Sequence, residues 1–189
     1  GGAYEETAVL YRSNAQSRAL EEALLRVSIP YRIYGGLRFY ERLEIKNAIA
    51  YLKIIFNNKD NPSFERSISN PTRGVGEKTL GKIRQAAKKF NISYIKASAK
   101  LIDEGSIGGR GGAGLKDYLE FIIGCKQFIK ENTLSELMEL IIKESGLYAY
   151  HAKEAGEKGK TRTENLEELI TATKNFEQSI KDEKTNEEI

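Results

Sequence analysis

The stretch SISNPTRGVGEKTLGKIRQAAKK, residues 67–89, decides how the rest of the chain is read. It runs helix, tight turn, helix. Pro71 fixes its own φ, while Gly74 and Gly76 allow a turn and a close backbone approach that other residues resist. Val75 between the two glycines is the expected core anchor. Successive amides of the Gly-Val-Gly turn can then point outward at the start of the following helix, a geometry suited to phosphate. Arg73, Lys78 and Lys82 surround that turn with positive charge. A plain connection between two helices is the other reading, and the local charge argues against it.

That charge belongs to a larger block. Residues 51–100 hold eleven Lys or Arg against three acids, an excess of eight, whereas residues 101–189 hold twelve against eighteen. The whole chain of 189 residues carries a formal net charge of only +3, so the distribution is what informs. A concentrated basic block is the footprint of a polyanion-binding surface, although a solvated helix face is the commoner origin of charge runs.

Outward from the turn the periodicity is helical. YERLEIKNAIAYLKIIFNN (40–58) places Leu43, Ile45, Ala48, Ile49, Leu52 and Ile55 on one broad face. GLKDYLEFIIGCKQFIKEN and TLSELMELIIKES follow a glycine-rich break, the second with Leu134, Leu137, Met138 and Ile141 at i, i+3, i+4, i+7. Met138 is therefore expected in the core, as is Cys125 among apolar neighbours. Upstream, TAVLYR (7–12) and IPYRIYGG (29–36) read as strands around the helical NAQSRALEEALLRV (14–27), whose Leu20, Ala23, Leu24 and Val27 mark its apolar face. This β-α-β piece is too small to bury its own core. The tail from Lys181 is polar and acid-rich.

EAGEKGKTRTENLEEL (154–169) contains a GKT triplet that resembles a phosphate-binding loop. Such a loop needs a glycine five residues before Gly159, and Glu154 stands there instead. The spacing Thr161-x-x-Glu164 is instead that of a capping box, which starts a helix at this point. GSIGGRGGAGLKDYL (105–119) reads either as a second, weaker glycine turn carrying Arg110 or as a flexible loop. The lone His151 has no partners at metal-ligand spacing, and no nucleophile, base and acid set is visible. No catalytic residue and no metal site are expected. No run of about 18 apolar residues and no signal peptide is seen, so a cytoplasmic protein without membrane contact is expected.

Residues 67–89 resemble the helix-hairpin-helix, which grips nucleic-acid backbone without reading sequence. Together with AVLYRSNAQSRALEEALL, IPYRIYGGLRFYERLEIKNAIAYLK, NPTRGVGEKTLGKIRQ and GEKGKTRTENLEELITATKNF, they make the chain resemble the bacterial UvrD/PcrA/Rep helicases, ATP-driven 3′-to-5′ DNA translocases of superfamily 1. The resemblance runs from about Gly1 to Phe176, in the family's order.

The resemblance implies a mainly α fragment. Residues 1–36 would be part of the second RecA-like motor domain, 37–178 the helical accessory domain with helix-hairpin-helix-like turns, and 179–189 a polar tail or linker. It places Arg12, Ser13 and Asn14 at single-stranded DNA; the same residues could merely cap the helix. It places Thr72, Arg73, Gly74, Val75, Gly76, Lys78 and Thr79 at the duplex backbone, with Arg110, Lys160 and Arg162 as further DNA contacts. Gly35 and Gly36 would lie at a hinge. ATP and magnesium would serve the parent enzyme and not this piece, which would hold duplex DNA and regulate unwinding, associated with the nucleoid. A module docking on the motor domains or on a repair protein is the alternative.

Overall fold

The computed structural model describes residues 4–34 and 36–187. Gly35, half of the expected hinge pair, lies outside them. Among the described residues there are nine α-helices: α1 (Ser17–Arg26), α2 (Leu43–Phe56), α3 (Asn61–Ser69), α4 (Glu77–Phe90), α5 (Tyr94–Asp103), α6 (Gly109–Phe128), α7 (Leu134–Glu144), α8 (Leu147–Ala152) and α9 (Glu157–Glu187). Three short 3-10 turns occupy Tyr4–Glu6, Asn14–Gln16 and Phe39–Glu41. The fold is mainly α, as the periodicity requires.

α2 is the central element and packs against α3, α6, α7 and α9. Its buried face of Ile45, Ala48, Tyr51, Ile54 and Ile55 meets Phe64 and Ile68 of α3 and Tyr118 and Ile122 of α6. Leu137, Met138 and Ile141 of α7 complete that core beside Leu166 and Leu169 of α9. Cys125 and Met138 are both buried packing residues. Tyr118 stands edge-on to Phe64 at a centroid distance of 5.5 Å, the arrangement in which ring quadrupoles attract.

Local signals set the helix starts. Asp60 caps α3 by accepting from the Ser63 amide (2.9 Å) and hydroxyl (2.8 Å), and the amide bond above all holds its carboxyl below the usual range. Thr133 and Glu136 form a capping box at α7, where Oε2 of Glu136 accepts from the Thr133 amide at 2.7 Å.

Two expectations are corrected here. The capping box at Thr161 and Glu164 does not form, because α9 begins one turn earlier, after Gly156 with φ +69°, and Thr161 lies inside the helix. Among the described residues the stretches 7–12 and 29–34 are not strands, since neither has a neighbour there with which to build a ladder, and Leu10 is 95% exposed. α1 meets the body through its polar face. Ser17, Arg18 and Glu21 are buried while Leu20, Leu25 and Val27 are exposed.

That polar face explains itself through its bonds. Glu21 accepts from the Phe39 amide (3.1 and 3.2 Å) and the Ser17 hydroxyl (2.8 Å). Arg18 reaches Glu168 of α9 at 2.6 Å. Arg42 donates to Asn14 O (2.7 Å), Leu37 O (3.3 Å), Ser17 Oγ (2.8 Å) and Asn165 Oδ1 (2.9 Å). Burial pushes the Arg42 guanidinium below its ordinary value. Asn165 in turn donates to Glu44 at 2.7 Å, so the N-terminal segment is seated on α2 and α9 through a chain of charged and amide groups.

Candidate nucleic-acid interface

The turn between α3 and α4 is built around Gly74, whose φ of +73° lies in the left-handed region. Val75 is buried beneath it, and Gly76 precedes the first residue of α4. Gly76 O accepts from the Thr79 and Leu80 amides, both at 3.0 Å. Thr72, Gly74, Gly76, Glu77 and Lys78 are exposed, and Thr79 is half-buried. The expected alternation of a buried valine between outward glycines is therefore present.

The glycine run 108–114 is not a loop. Gly108 precedes α6, and Gly109 to Gly114 are its first turns. Helical glycines are costly, and here close approach explains them. A Cβ on Gly111 would lie 3.0 Å from Gly74 O, and one on Gly114 only 1.9 Å from Arg73 O. One on Gly112 would meet Ile107 O at 2.8 Å. The start of α6 is thus pressed against the α3–α4 turn. Arg110 is exposed and lays its aliphatic stem over Gly74, where an added Cβ would meet Arg110 Cγ at 2.9 Å. Two glycine-rich segments that lie far apart in sequence form one surface.

The charges around this surface divide sharply. Arg84 is tied to Glu65 (2.6 and 2.7 Å) and to Glu77, which together push its guanidinium above its ordinary value. Lys82 donates to Ser106 O at 2.8 Å, and Lys100 pairs with Glu104 at 2.6 Å. Lys78 and Arg110 here, and Lys88 and Lys96 farther along α4 and α5, are exposed and make no ion pair among the described residues. Arg73 turns its guanidinium inward, donating to Pro71 O (2.9 Å), Ser67 O (3.3 Å) and Ser145 O (2.7 Å).

The other anticipated residues lie elsewhere. Arg12 is exposed, and its amide with that of Ser13 donates to Gln16 Oε1 at 2.9 and 3.2 Å. Ser13 lines a groove with Glu164, Glu167 and Glu168 of α9, an acidic setting beside residues 12–14. Lys160 is exposed on α9, but Arg162 is held by Glu154 and lies 3.7 Å from Glu44. Gly159 packs so closely that a Cβ would meet Glu154 O at 2.3 Å. Gly159, Lys160 and Thr161 are helical, so they form no loop around a phosphate. His151 is buried, with Nδ1 at 2.6 Å from Glu154.

A family model for the UvrD-like helicase C-terminal domain matches residues 1–106, more than half of the chain. The chain belongs to the UvrD-like helicase C-terminal domain family. Among its relatives, DNA helicase II of Escherichia coli (strain K12) is 48% identical over 183 residues, covering 97% of this chain and 25% of the relative. DNA helicase II of Haemophilus influenzae is 47% identical over 176 residues, covering 93% and 24%. ATP-dependent DNA helicase PcrA of Leuconostoc citreum is 37% identical over 181 residues, covering 96% and 24%. This UvrD-like chain therefore spans about a quarter of the length of the curated relatives it matches.

Residues that the local reading missed in this UvrD-like domain are Gly111 and Gly114, which admit the turn, Gly112, which admits Ile107 O, and Tyr51, Tyr118 and Ser145, which line the turn's underside. The one available signal was the density of glycines immediately before a strong amphipathic helix.

Proposed function

We propose that this chain is the duplex-holding part of an ATP-dependent 3′-to-5′ DNA helicase, with residues 37–178 as its helical accessory domain. The observation that carries this reading is the composite surface of the α3–α4 turn and the start of α6, with Lys78 and Arg110 exposed beside it. Backbone amides at the start of α4, the Thr79 hydroxyl and two exposed cations suit phosphate oxygens and no particular base. Residues 4–34 belong in this reading to the motor, where neighbouring strands would pair with 7–12 and 29–34, and where Arg12 to Asn14 would meet single-stranded DNA. The segment around Gly36 would be the hinge. ATP and magnesium would be held by parts of the parent outside this chain. The exposed Lys160 is a peripheral DNA contact, while Arg162 serves the fold. The parent would work in the cytoplasm, on nucleoid DNA.

The acidic surface of α9, with Glu164, Glu167 and Glu168 along one groove, favours a second reading as a docking module for the motor or a repair protein. Titration of the chain with a tailed duplex over a range of salt separates the two. The first reading expects sequence-independent binding that weakens steeply with salt. The double variant Lys78→Ala with Arg110→Ala should lower the slope of log K against log salt by about 1.8, or about 0.9 per phosphate contact. Unchanged slope and affinity in that variant would remove the surface from consideration, and no binding by the wild type at low salt would favour docking.

A further inference from the structure

Arg73 sits in the middle of the proposed grip, yet its guanidinium serves the interior. The two carbonyls farthest from it in the chain lie at helix ends: Ser67 O in the last turn of α3 and Ser145 O directly after α7. Carbonyls at helix C-termini lack helical partners and carry the negative end of the helix dipole, so a cation fits there. Pro71 O supplies the third acceptor. The guanidinium carbon lies 5.6 Å from the ring centroids of both Tyr51 and Tyr118, which are fully buried. Each ring pins the same segment again. Tyr51 Oη donates to Asn70 O at 2.8 Å, and Tyr118 Oη shares a hydrogen bond of 2.6 Å with Ser67 Oγ. Among the described residues no carboxylate pairs with Arg73; its charge is met by carbonyl dipoles and aromatic faces.

The main chain at Arg73 is also pressed by α6 at Gly114. The turn is therefore held twice, by the Arg73 side chain and by the close approach of α6. A planar fork bridges three carbonyls and lies against aromatic rings; a lysine ammonium has the charge without that shape.

We propose that Arg73 is a positioning residue of the duplex grip: its guanidinium ties the ends of α3 and α7 to the turn, so that the Gly74–Gly76 amides and Lys78 face outward, and it takes no phosphate itself. This rests on the reading of the turn as a duplex-binding surface.

The test compares the wild type, Arg73→Ala, Arg73→Lys and Lys78→Ala in duplex titrations over a range of salt, with helix content checked by circular dichroism. Positioning expects Arg73→Ala and Arg73→Lys both to bind about tenfold more weakly, the worth of one charge-assisted amide–phosphate bond. Their salt slopes should match the wild type, because neutral amides release no counterions, while Lys78→Ala loses about 0.9 of slope. In free Arg73→Lys, the amide resonances of Gly74 and Gly76 should shift. Wild-type affinity in Arg73→Lys, or a slope lowered by about 0.9 in Arg73→Ala, would make Arg73 a phosphate contact and overturn the inference. Wild-type affinity in both variants would overturn it as well. Should Arg73→Ala fail to fold, Arg73→Lys decides alone. A wild type without salt-dependent binding would instead sink the duplex-binding reading and the inference with it, a distinct outcome.

Discussion

Replacing Gly114 with alanine sets two principles against each other. In an unhindered helix interior, Gly→Ala stabilises by about 1 kcal/mol through lost chain entropy and better helix propensity. In α6 the new Cβ would stand 1.9 Å from Arg73 O and 2.9 Å from Arg73 C. Carbon–oxygen contacts begin near about 3.3 Å, so helix and turn must part by roughly 1.4 Å. The obstacle is backbone, clamped by the Arg73 guanidinium, and no side-chain rotation relieves it. Overpacking of this kind costs about 1–3 kcal/mol, and a rigid backbone obstacle places the cost at or above the upper end. After the helix gain, a net loss of about 2 kcal/mol is expected, or about 4–8 °C in Tm for a domain of this size. Gly124 lies in the same helix with nothing within 4 Å of its added Cβ, so Gly124→Ala should raise Tm by about 2–4 °C. Thermal melts of the two variants followed at the helical circular-dichroism band read both signs. A Gly114→Ala protein as stable as the wild type would refute the close approach of α6 and the turn.

Gly74→Ala should lower stability by about 1–2 kcal/mol in urea titration, since its left-handed backbone opposes a Cβ that also meets the Arg110 stem. Burial pushes the Cys125 thiol up to about 12. A thiol-specific reagent at about pH 8 should therefore leave the folded chain unmodified and react fully in denaturant; fast reaction without denaturant would contradict the buried site. The hydrogen bond from His151, then Arg162, holds the Glu154 carboxyl below its ordinary value. A depressed folded-state value contributes stability that is present above the unfolded value, about 4.5, and lost as pH falls through the folded one. Glu154→Gln should flatten that acid limb in urea midpoints measured across it; an unchanged limb would show that the group adds nothing.

Periodicity carried the helical body because burial on one stripe is a local property of the chain. Leu137, Met138 and Ile141, with Leu134 half-buried against the core, needed no knowledge of their neighbours to be placed on the inner face. Long-range reasons escaped the same logic. The run Gly109 to Gly114 looks like a break until Gly74 O and Arg73 O are known to lie against it. From the turn alone Arg73 is one more positive charge, because its acceptor Ser145 O, 72 residues away, is invisible there. The Thr-x-x-Glu spacing occurs at both 133–136 and 161–164, and only the first starts a helix. At the second, Gly156 had already let α9 begin. On α1, hydrophobicity could not show that the polar face has partners of its own, in Arg42 and Glu168.

The seating of the N-terminal segment on α2 and α9 has a mechanical corollary. Greasy faces slide over one another at small cost, whereas the forked donors of Arg18 and Arg42 meet their acceptors in a single alignment. Ion pairs and amides brought out of water contribute little net adhesion, because desolvation offsets most of their attraction. The joint therefore behaves as a key in a lock and not as glue: selective about position, and weakly retentive once the key is turned.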